Sequence, residues 1–171
     1  MMQKKVQIIS DGSLDLSQEL TKEKDIEVVP FYVSFDSETY QKEMVEVGVR
    51  EFYQEMVDHP TVFPKTSMPS VHDYYEVFEK HAKEQLPVIC ICITKKFSGS
   101  MQSATTAKDM ILEDYPDAKI VVINSTVNTV LQGLFVLEAC RLRDMGCGYE
   151  EIVKALLPIR ETGRIFFTIG S

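Results

Sequence analysis

The run Val88-Ile89-Cys90-Ile91-Cys92-Ile93-Thr94 predicts the central element of the fold, and it leads into Phe97-Ser98-Gly99-Ser100. An unbroken apolar run rich in β-branched residues predicts a strand buried on both faces, as in a parallel sheet. The Ser-Gly-Ser sequence after it predicts a turn into a helix. Free N–H groups at the start of a helix, with the positive end of the helix dipole, favour the binding of an anion there.

The rest of the chain alternates predicted strands with predicted helices. Strands are predicted at 6–9, 26–33, 88–94, 119–123 and 164–169. Helices are predicted from 15, over 49–57, from 70, from 98, over 129–144 and over 149–157. Asp15 with Gln18 and Ser70 with Asp73 have the spacing of capping boxes, and Gly146 predicts the end of the helix at 129–144. Pro30 marks an edge position or a bend in the second strand. This order predicts an α/β domain with three layers, α/β/α, around a mostly parallel sheet.

Length and charge exclude several classes of function. The chain has 171 residues, enough for one domain with a sizeable core, and a formal net charge of −8. An acidic surface argues against binding to nucleic acid or to anionic lipid head groups. No apolar run approaches the roughly 20 residues of a membrane span, and the first residues lack a signal-peptide core. We therefore expect a cytoplasmic protein.

The cysteines and histidines do not predict a metal site. The 4 cysteines include no Cys-x-x-Cys pair, and the 3 histidines are scattered among polar positions. Buried, reduced thiols are the expected state of the cysteines. Neither residue type has the spacing of a zinc cluster. The sequence therefore predicts neither a metal nor a cofactor.

Four loops rich in hydroxyl groups lie at or near the predicted carboxyl ends of strands. They are Ser10-Asp11, Thr66-Ser67, Ser98-Gly99-Ser100 and Asn124-Ser125-Thr126. In open α/β sheets, ligands bind beyond the carboxyl ends of the strands. Each loop taken alone is explained as a helix cap, but their convergence on one edge favours a binding site.

The hydroxyl groups lack the partners that most reactions need. The chain contains neither the Gly-x-Gly-x-x-Gly pattern of dinucleotide sites nor the Gly-Lys-Ser/Thr of a phosphate loop. A nucleophile at Ser98 would need a base, and the flanking Gly-x-Ser-x-Gly pattern is also absent. Hydroxyls at Thr66, Ser67 and Ser98 suit a bound carboxyl group. A hydrolase or transferase that uses Ser98 as nucleophile remains the alternative.

Four segments resemble motifs of the DegV family of bacterial fatty-acid-binding proteins. Ser10-Asp11-Gly12-Ser13-Leu14-Asp15-Leu16 is similar to its Asp-Ser-Thr-x-Asp-Leu motif, and Thr66-Ser67-Met68-Pro69-Ser70 resembles its Thr-Ser-x-Pro-Ser loop. Residues 97–104 are similar to its Leu-Ser-Gly-Thr-Tyr-x-x-Ala turn, and residues 124–133 resemble its Asp-Ser-x-x-x-Ser-x-Gly-x-Gly segment. Each motif alone is weak, but four in order span essentially the whole chain.

The resemblance implies a lipid-binding carrier without catalytic machinery. Such a protein binds a long-chain fatty acid and presents the carboxylate to a separate ATP-dependent fatty acid kinase. The resemblance implies that Ser67 and Ser98, with Thr66, hydrogen-bond the carboxylate, and that the acyl chain lies in an apolar tunnel between helices and sheet. The residues expected in supporting loops are Asp11, Gly99, Ser100 and Ser125.

The chain departs from the family pattern in sequence and in length. Gly12 replaces a Ser or Thr, Asn124 replaces an Asp, and Leu131 stands where a Gly is typical. Family members continue through a second α/β domain. We therefore expect residues 1–171 to be the N-terminal domain only, with the C-terminal domain absent. A tunnel with one wall missing would expose apolar surface, which predicts some self-association.

Overall fold

A computed structural model describes residues 6–166. The strands are β1 (Gln7–Asp11), β2 (Ile26–Val29), β3 (Tyr32–Ser34), β4 (Gln41–Lys42), β5 (Lys65–Ser67), β6 (Val88–Cys92) and β7 (Ile120–Asn124). The helices are α1 (Gln18–Glu23), α2 (Val49–Asp58), α3 (Val71–Lys83), α4 (Ser100–Asp114), α5 (Thr129–Asp144) and α6 (Tyr149–Ile159), and one 3₁₀ turn covers Gly12–Leu14.

The main sheet is parallel throughout and has the strand order β2-β1-β6-β7. All five residues of β6 are buried, as the unbroken apolar run predicts. Because successive side chains of a strand point to opposite faces, β6 contributes to two separate cores. Ile89 and Ile91 pack with α5 and α6 on one face, and Cys90 packs with α3 and α4 on the other. The predicted three-layer α/β/α fold is confirmed.

The predicted strand at 26–33 is in fact two strands in different sheets. β2 ends at Val29 and β3 begins at Tyr32, where it enters a small antiparallel sheet with the order β4-β3-β5. Pro30 lies at the break. Because it has no N–H to donate, it cannot continue the backbone hydrogen bonding of β2. Residues 65–67, predicted as an extended loop, form strand β5 of this small sheet.

The helix boundaries confirm some capping predictions and correct one. Ser70 and Asp73 form the predicted capping box of α3. At α1 the N-cap is Ser17, whose Oγ accepts a bond from the Leu20 N–H at 3.2 Å, and not Asp15, which has a φ of 52°. The predicted end of α5 at a glycine is confirmed: Gly146 follows the helix with a φ of 93°, a left-handed conformation that glycine adopts readily.

The last predicted strand lies mostly outside the described residues. Residues 164–166 form no strand, and residues 167–169 fall beyond the described range. None of the helices within 6–166 has the length and apolar character needed to cross a membrane. That the chain is the first of two domains stays a prediction.

Candidate functional site

Asp11, at the carboxyl end of β1, is the centre of a buried hydrogen-bond network. Its carboxylate accepts bonds from the Ile93 N–H at 2.9 Å, from Ser100 Oγ at 2.8 Å and from Gln132 Nε2 at 2.8 Å. Burial raises the pKa of Asp11, and these hydrogen bonds oppose the rise because they stabilise the charged form. Asp11 therefore holds the first turns of α4 and α5 against the end of β1.

The two serines that were predicted in supporting loops, Ser100 and Ser125, point into the protein. Ser100 is fully buried, and its Oγ lies 2.7 Å from the Tyr74 hydroxyl in addition to its bond with Asp11. Ser125 is also fully buried and donates to the Val127 carbonyl at 2.9 Å. Both hydroxyls thus shape the turns that follow β6 and β7.

Ser98 lies in the turn before α4, two residues before Ser100 of this network. It is half-buried, and the next residue, Gly99, is exposed. Ser98 Oγ accepts a bond from the Ser100 N–H at 3.1 Å, which satisfies one of the free N–H groups at the start of α4. Its own O–H has no acceptor among residues 6–166, so it is available to a ligand.

Met68 joins the two segments that were predicted to form the carboxylate site. A Cβ placed on Gly99 would lie 2.6 Å from Met68 Sδ and 3.2 Å from its Cε. Met68 follows Ser67 in the chain, and Gly99 follows Ser98. The contact therefore brings the end of β5 beside the turn before α4, as the convergence of hydroxyl-rich loops predicts.

Thr66 and Ser67 face opposite sides of the small sheet. In this sheet Thr66 pairs with Val33, and Ser67 pairs with Tyr32. Paired residues on adjacent strands share a face, and successive residues alternate between faces. Thr66 and Val33 line a cavity, whereas Ser67 does not. Ser67 shares its face with Tyr32, whose hydroxyl donates to Asp73 at 2.9 Å.

The cavity has a volume of about 1190 Å³ and lies between the main sheet, the 3₁₀ turn, the small sheet and α2. The apolar side chains that line it include Leu14, Leu16, Val28, Val33, Val47 and Phe52. Its volume is somewhat larger than the roughly 300–1,000 Å³ typical of small-molecule sites. Ser98 is not among its lining residues, so of the three predicted contacts Thr66 is the one that faces it.

Several large apolar side chains beside the cavity and the turns are exposed. The helix α2 has no buried residue, although one of its faces is apolar. Phe63 precedes β5 and is 82% exposed, and Phe97 precedes Ser98 and is 60% exposed. The site is thus bordered by an apolar surface that the described residues leave uncovered.

The three histidines lie beside partners other than Ser98. Each of them lies beside a glutamate elsewhere: His59 beside Glu55, His72 beside Glu76 and His81 beside Glu27. Within the described part of the chain, no group of His, Cys, Asp and Glu side chains has the arrangement of a metal site.

One pair of residues at the cavity was not identified from the sequence. The Glu43 carboxylate lies against Gly12, where a Cβ would overlap it. Glu43 Oε1 accepts a bond from the Phe31 N–H at 3.0 Å. In the sequence, the glycine at position 12, in place of the Ser or Thr of the motif, was the one indication that another group occupies this space. It did not indicate which residue would fill the space.

These features define an α/β domain with a hydroxyl-bearing turn beside an apolar cavity at the edge of its parallel sheet. The sequence matches the family model of the uncharacterised DegV family over residues 5–171. A DegV domain-containing protein from Clostridium acetobutylicum is 34% identical over 153 residues, which cover 90% of this chain and 53% of the relative. The chain belongs to the DegV family.

Solved structures of relatives have the same fold. A stearic acid-binding protein from Eubacterium ventriosum is 46% identical, with a TM-score of 0.85 over 88% of this chain and 52% of that one. A DegV family protein from Thermus thermophilus, described by its fatty acid binding, is 28% identical, with a TM-score of 0.76 over 92% and 54% of the two chains. The chain thus spans about half the length of the relatives that it matches.

Proposed function

We propose that this protein is a cytoplasmic carrier that binds a long-chain fatty acid, with the acyl chain in the cavity and the carboxylate between Thr66 and Ser98. The observation that carries the proposal is the contact between Met68 and Gly99, which joins the cavity-facing strand β5 to the turn of Ser98. The fatty acids bound by the relatives from Eubacterium ventriosum and Thermus thermophilus support the same class of ligand.

Burial of the acyl chain provides most of the binding free energy in this proposal. Each methylene removed from water contributes about 0.8 kcal/mol, so a long chain binds tightly with few polar contacts. The polar end then fixes the orientation of the ligand, which requires hydrogen-bond donors and no catalytic base. The free O–H of Ser98 and the cavity-facing Thr66 provide such donors.

The proposal includes presentation of the carboxylate to an ATP-dependent fatty acid kinase. Gly99 is exposed and Ser98 is half-buried, so a carboxylate held there lies near the surface. A partner enzyme could then transfer the terminal phosphoryl group of ATP to the carboxylate, giving an acyl phosphate and ADP. The side chain of Phe97, which precedes Ser98 in the chain, and that of Phe63, which precedes β5, are both exposed and offer a contact area.

Mass spectrometry tests the binding. The chain, purified from a lipid-containing host and measured under native conditions, should carry a mass that denaturation releases as a fatty acid. The absence of any acyl ligand, both after purification and after incubation with fatty acid, would contradict the proposal. Trapping of an acyl phosphate with hydroxylamine, in the presence of ATP and a fatty acid kinase, tests the presentation step.

A further inference from the structure

One oxygen of the Asp11 carboxylate holds both ends of the loop that contains Ser98. Asp11 Oδ2 accepts a bond from the Ile93 N–H at 2.9 Å and a second bond from Ser100 Oγ at 2.8 Å. Ile93 directly follows β6, and Ser100 is the first residue of α4. Residues 93–100 therefore form a loop whose two ends meet at a single buried atom.

The partners of Asp11 are those of an ionised carboxylate. The Ile93 N–H can only donate, and so can Gln132 Nε2, which donates to the other oxygen, Oδ1, at 2.8 Å. Because the carboxylate has no proton to give, the Ser100 hydroxyl donates to it. The Tyr74 hydroxyl, 2.7 Å from Ser100 Oγ, then donates to Ser100 in turn. The charge of Asp11 thus sets the direction of the bonds that reach the start of α4.

Ser100 transmits this arrangement to Ser98. The Ser100 N–H donates to Ser98 Oγ at 3.1 Å, so Ser98 accepts a bond within the loop and keeps its own proton for a ligand. The side chain of Ser100 is fixed by Asp11, and its backbone orients Ser98. Asp11 therefore reaches the hydroxyl of Ser98 through one intervening residue.

Other bonds hold the first half of the same loop. The Thr94 N–H donates to the Val127 carbonyl at 2.9 Å, and the Lys95 N–H donates to Asn124 Oδ1 at 3.3 Å. Within residues 6–166, the second half of the loop is tied to the main sheet by the bond from Ser100 to Asp11. Loss of that bond would release Ser98 while the first half stays in place.

We propose, on the basis of the fatty acid binding proposed above, that Asp11 is a positioning residue for the head group of the ligand. Its carboxylate fixes the second half of the loop through Ser100, and it thereby directs the Ser98 hydroxyl towards the bound carboxylate. Asp11 is fully buried and does not line the cavity, so it acts through Ser98 and not by contact with the ligand.

A double-mutant cycle tests this role, with isothermal titration calorimetry of tetradecanoic acid as the measurement. In the wild type, Ser98→Ala should weaken binding by about tenfold. In an Asp11→Ala background the same substitution should weaken binding by less than about twofold, because the Ser98 hydroxyl is no longer held towards the ligand. A Ser100→Ala background, which lacks the bond at the end of the loop, should reduce the effect of Ser98→Ala in the same way.

Asp73→Ala is the matched control. Asp73 is also buried at the start of a helix, and it accepts bonds from Ser70 Oγ at 2.6 Å and from the Tyr32 hydroxyl at 2.9 Å. Its partners lie outside residues 93–100. The full effect of Ser98→Ala should therefore remain in the Asp73→Ala background. Ser100→Thr keeps the hydroxyl group and should restore the effect that Ser100→Ala removes.

The length of the ligand separates a misplaced head group from a damaged cavity. From dodecanoic to hexadecanoic acid, each added methylene should strengthen binding by about fourfold. This increment should be the same in the wild type and in Asp11→Ala, because Asp11 does not line the cavity. A smaller increment in the variant would show that Asp11 supports the cavity as a whole, and it would overturn the proposed role.

The outcomes separate this role from the proposed function. An undiminished effect of Ser98→Ala in both the Asp11→Ala and the Ser100→Ala backgrounds overturns the role of Asp11 and leaves fatty acid binding intact. The absence of any effect of Ser98→Ala in the wild type overturns it as well. A wild type that binds none of the acids overturns the proposed function itself. If Asp11→Ala does not fold, Ser100→Ala decides the question, since it removes one hydroxyl group only.

Discussion

Gly133 on α5 lies directly against the backbone carbonyl of Leu14, so closely that a Cβ on Gly133 would overlap the carbonyl oxygen. The side chain of Leu16 lies beside the same point. Both leucines line the cavity. The absence of a side chain on one helix thus fixes the position of the chain segment that forms one wall of the candidate site.

Gly133→Ala should therefore destabilise the protein. The backbone at Leu14 must move to admit a methyl group, and such overpacking typically costs about 1–3 kcal/mol. Urea denaturation followed by circular dichroism measures the change in the free energy of unfolding. Gly48→Ala is the control, because a Cβ there meets no atom within 4 Å. The interpretation fails if the two variants are equally stable.

The two faces of β5 predict different effects of neighbouring substitutions on fatty acid affinity. Thr66→Val and Ser98→Ala each remove a proposed hydrogen bond to the ligand, which should weaken binding by about tenfold. Ser67→Ala should have a smaller effect, because Ser67 pairs with Tyr32 on the face away from the cavity. Titration of a fluorescent fatty acid compares the three variants. A larger loss from Ser67→Ala than from Thr66→Val would contradict this assignment.

Asp73 should make the stability of the protein fall at acidic pH. Burial alone would raise its pKa, but hydrogen bonds from Ser70 and Tyr32 and the charge of Lys42 lower the pKa to about 2. Because the folded-state pKa is lower than the unfolded value of about 3.9, this stabilisation is complete above that value and is lost as the pH falls towards 2. The expected loss is about 1–2 kcal/mol.

Asp73→Asn should remove that part of the pH dependence. Chemical denaturation at a series of acidic pH values gives the free energy of unfolding for the variant and the wild type. Asp117→Asn, at an exposed position, serves as the control and should follow the wild-type curve. Parallel curves for all three proteins would show that the Asp73 cluster contributes nothing to acid stability.

The exposed apolar side chains beside the site predict self-association. A double substitution of Phe63→Ser and Phe97→Ser should lower the sedimentation coefficient of the chain at concentrations where the wild type associates. Met145→Ser is the control, since Met145 is 68% exposed at the far end of α5. Strictly monomeric sedimentation of the wild type would contradict the prediction.

Local patterns in the sequence predicted the strands of the main sheet. Which side chains face the cavity depends instead on contacts between residues far apart in the sequence. The apolar run of β6 and the capping box at Ser70 are local signals, and both are confirmed. The faces of Thr66 and Ser67 depend on the register between β5 and β3, which lie more than thirty residues apart in the sequence. No pattern within residues 64–70 contains that register.

The same reason explains the wrong end of the predicted strand at 26–33 and the contact at Gly12 that the sequence did not reveal. Pro30 indicated a bend, but only the pairing of β3 with β4 and β5 shows that the chain changes sheets there. Gly12 indicated a missing side chain, but the residue that fills the space, Glu43, directly follows β4 and lies 31 positions later in the chain. Proximity of this kind is a property of the folded chain.

Residues 30–70 leave the main sheet after β2 and return at the start of α3, and they contribute no residue to either hydrophobic core. The unfolding of this segment would therefore cost less free energy than the unfolding of the main sheet. Its amide protons should exchange with solvent faster than those of β6, and bound ligand should slow that exchange. In the proposed carrier, local unfolding of this segment would open the cavity and admit the ligand while the rest of the protein stays folded.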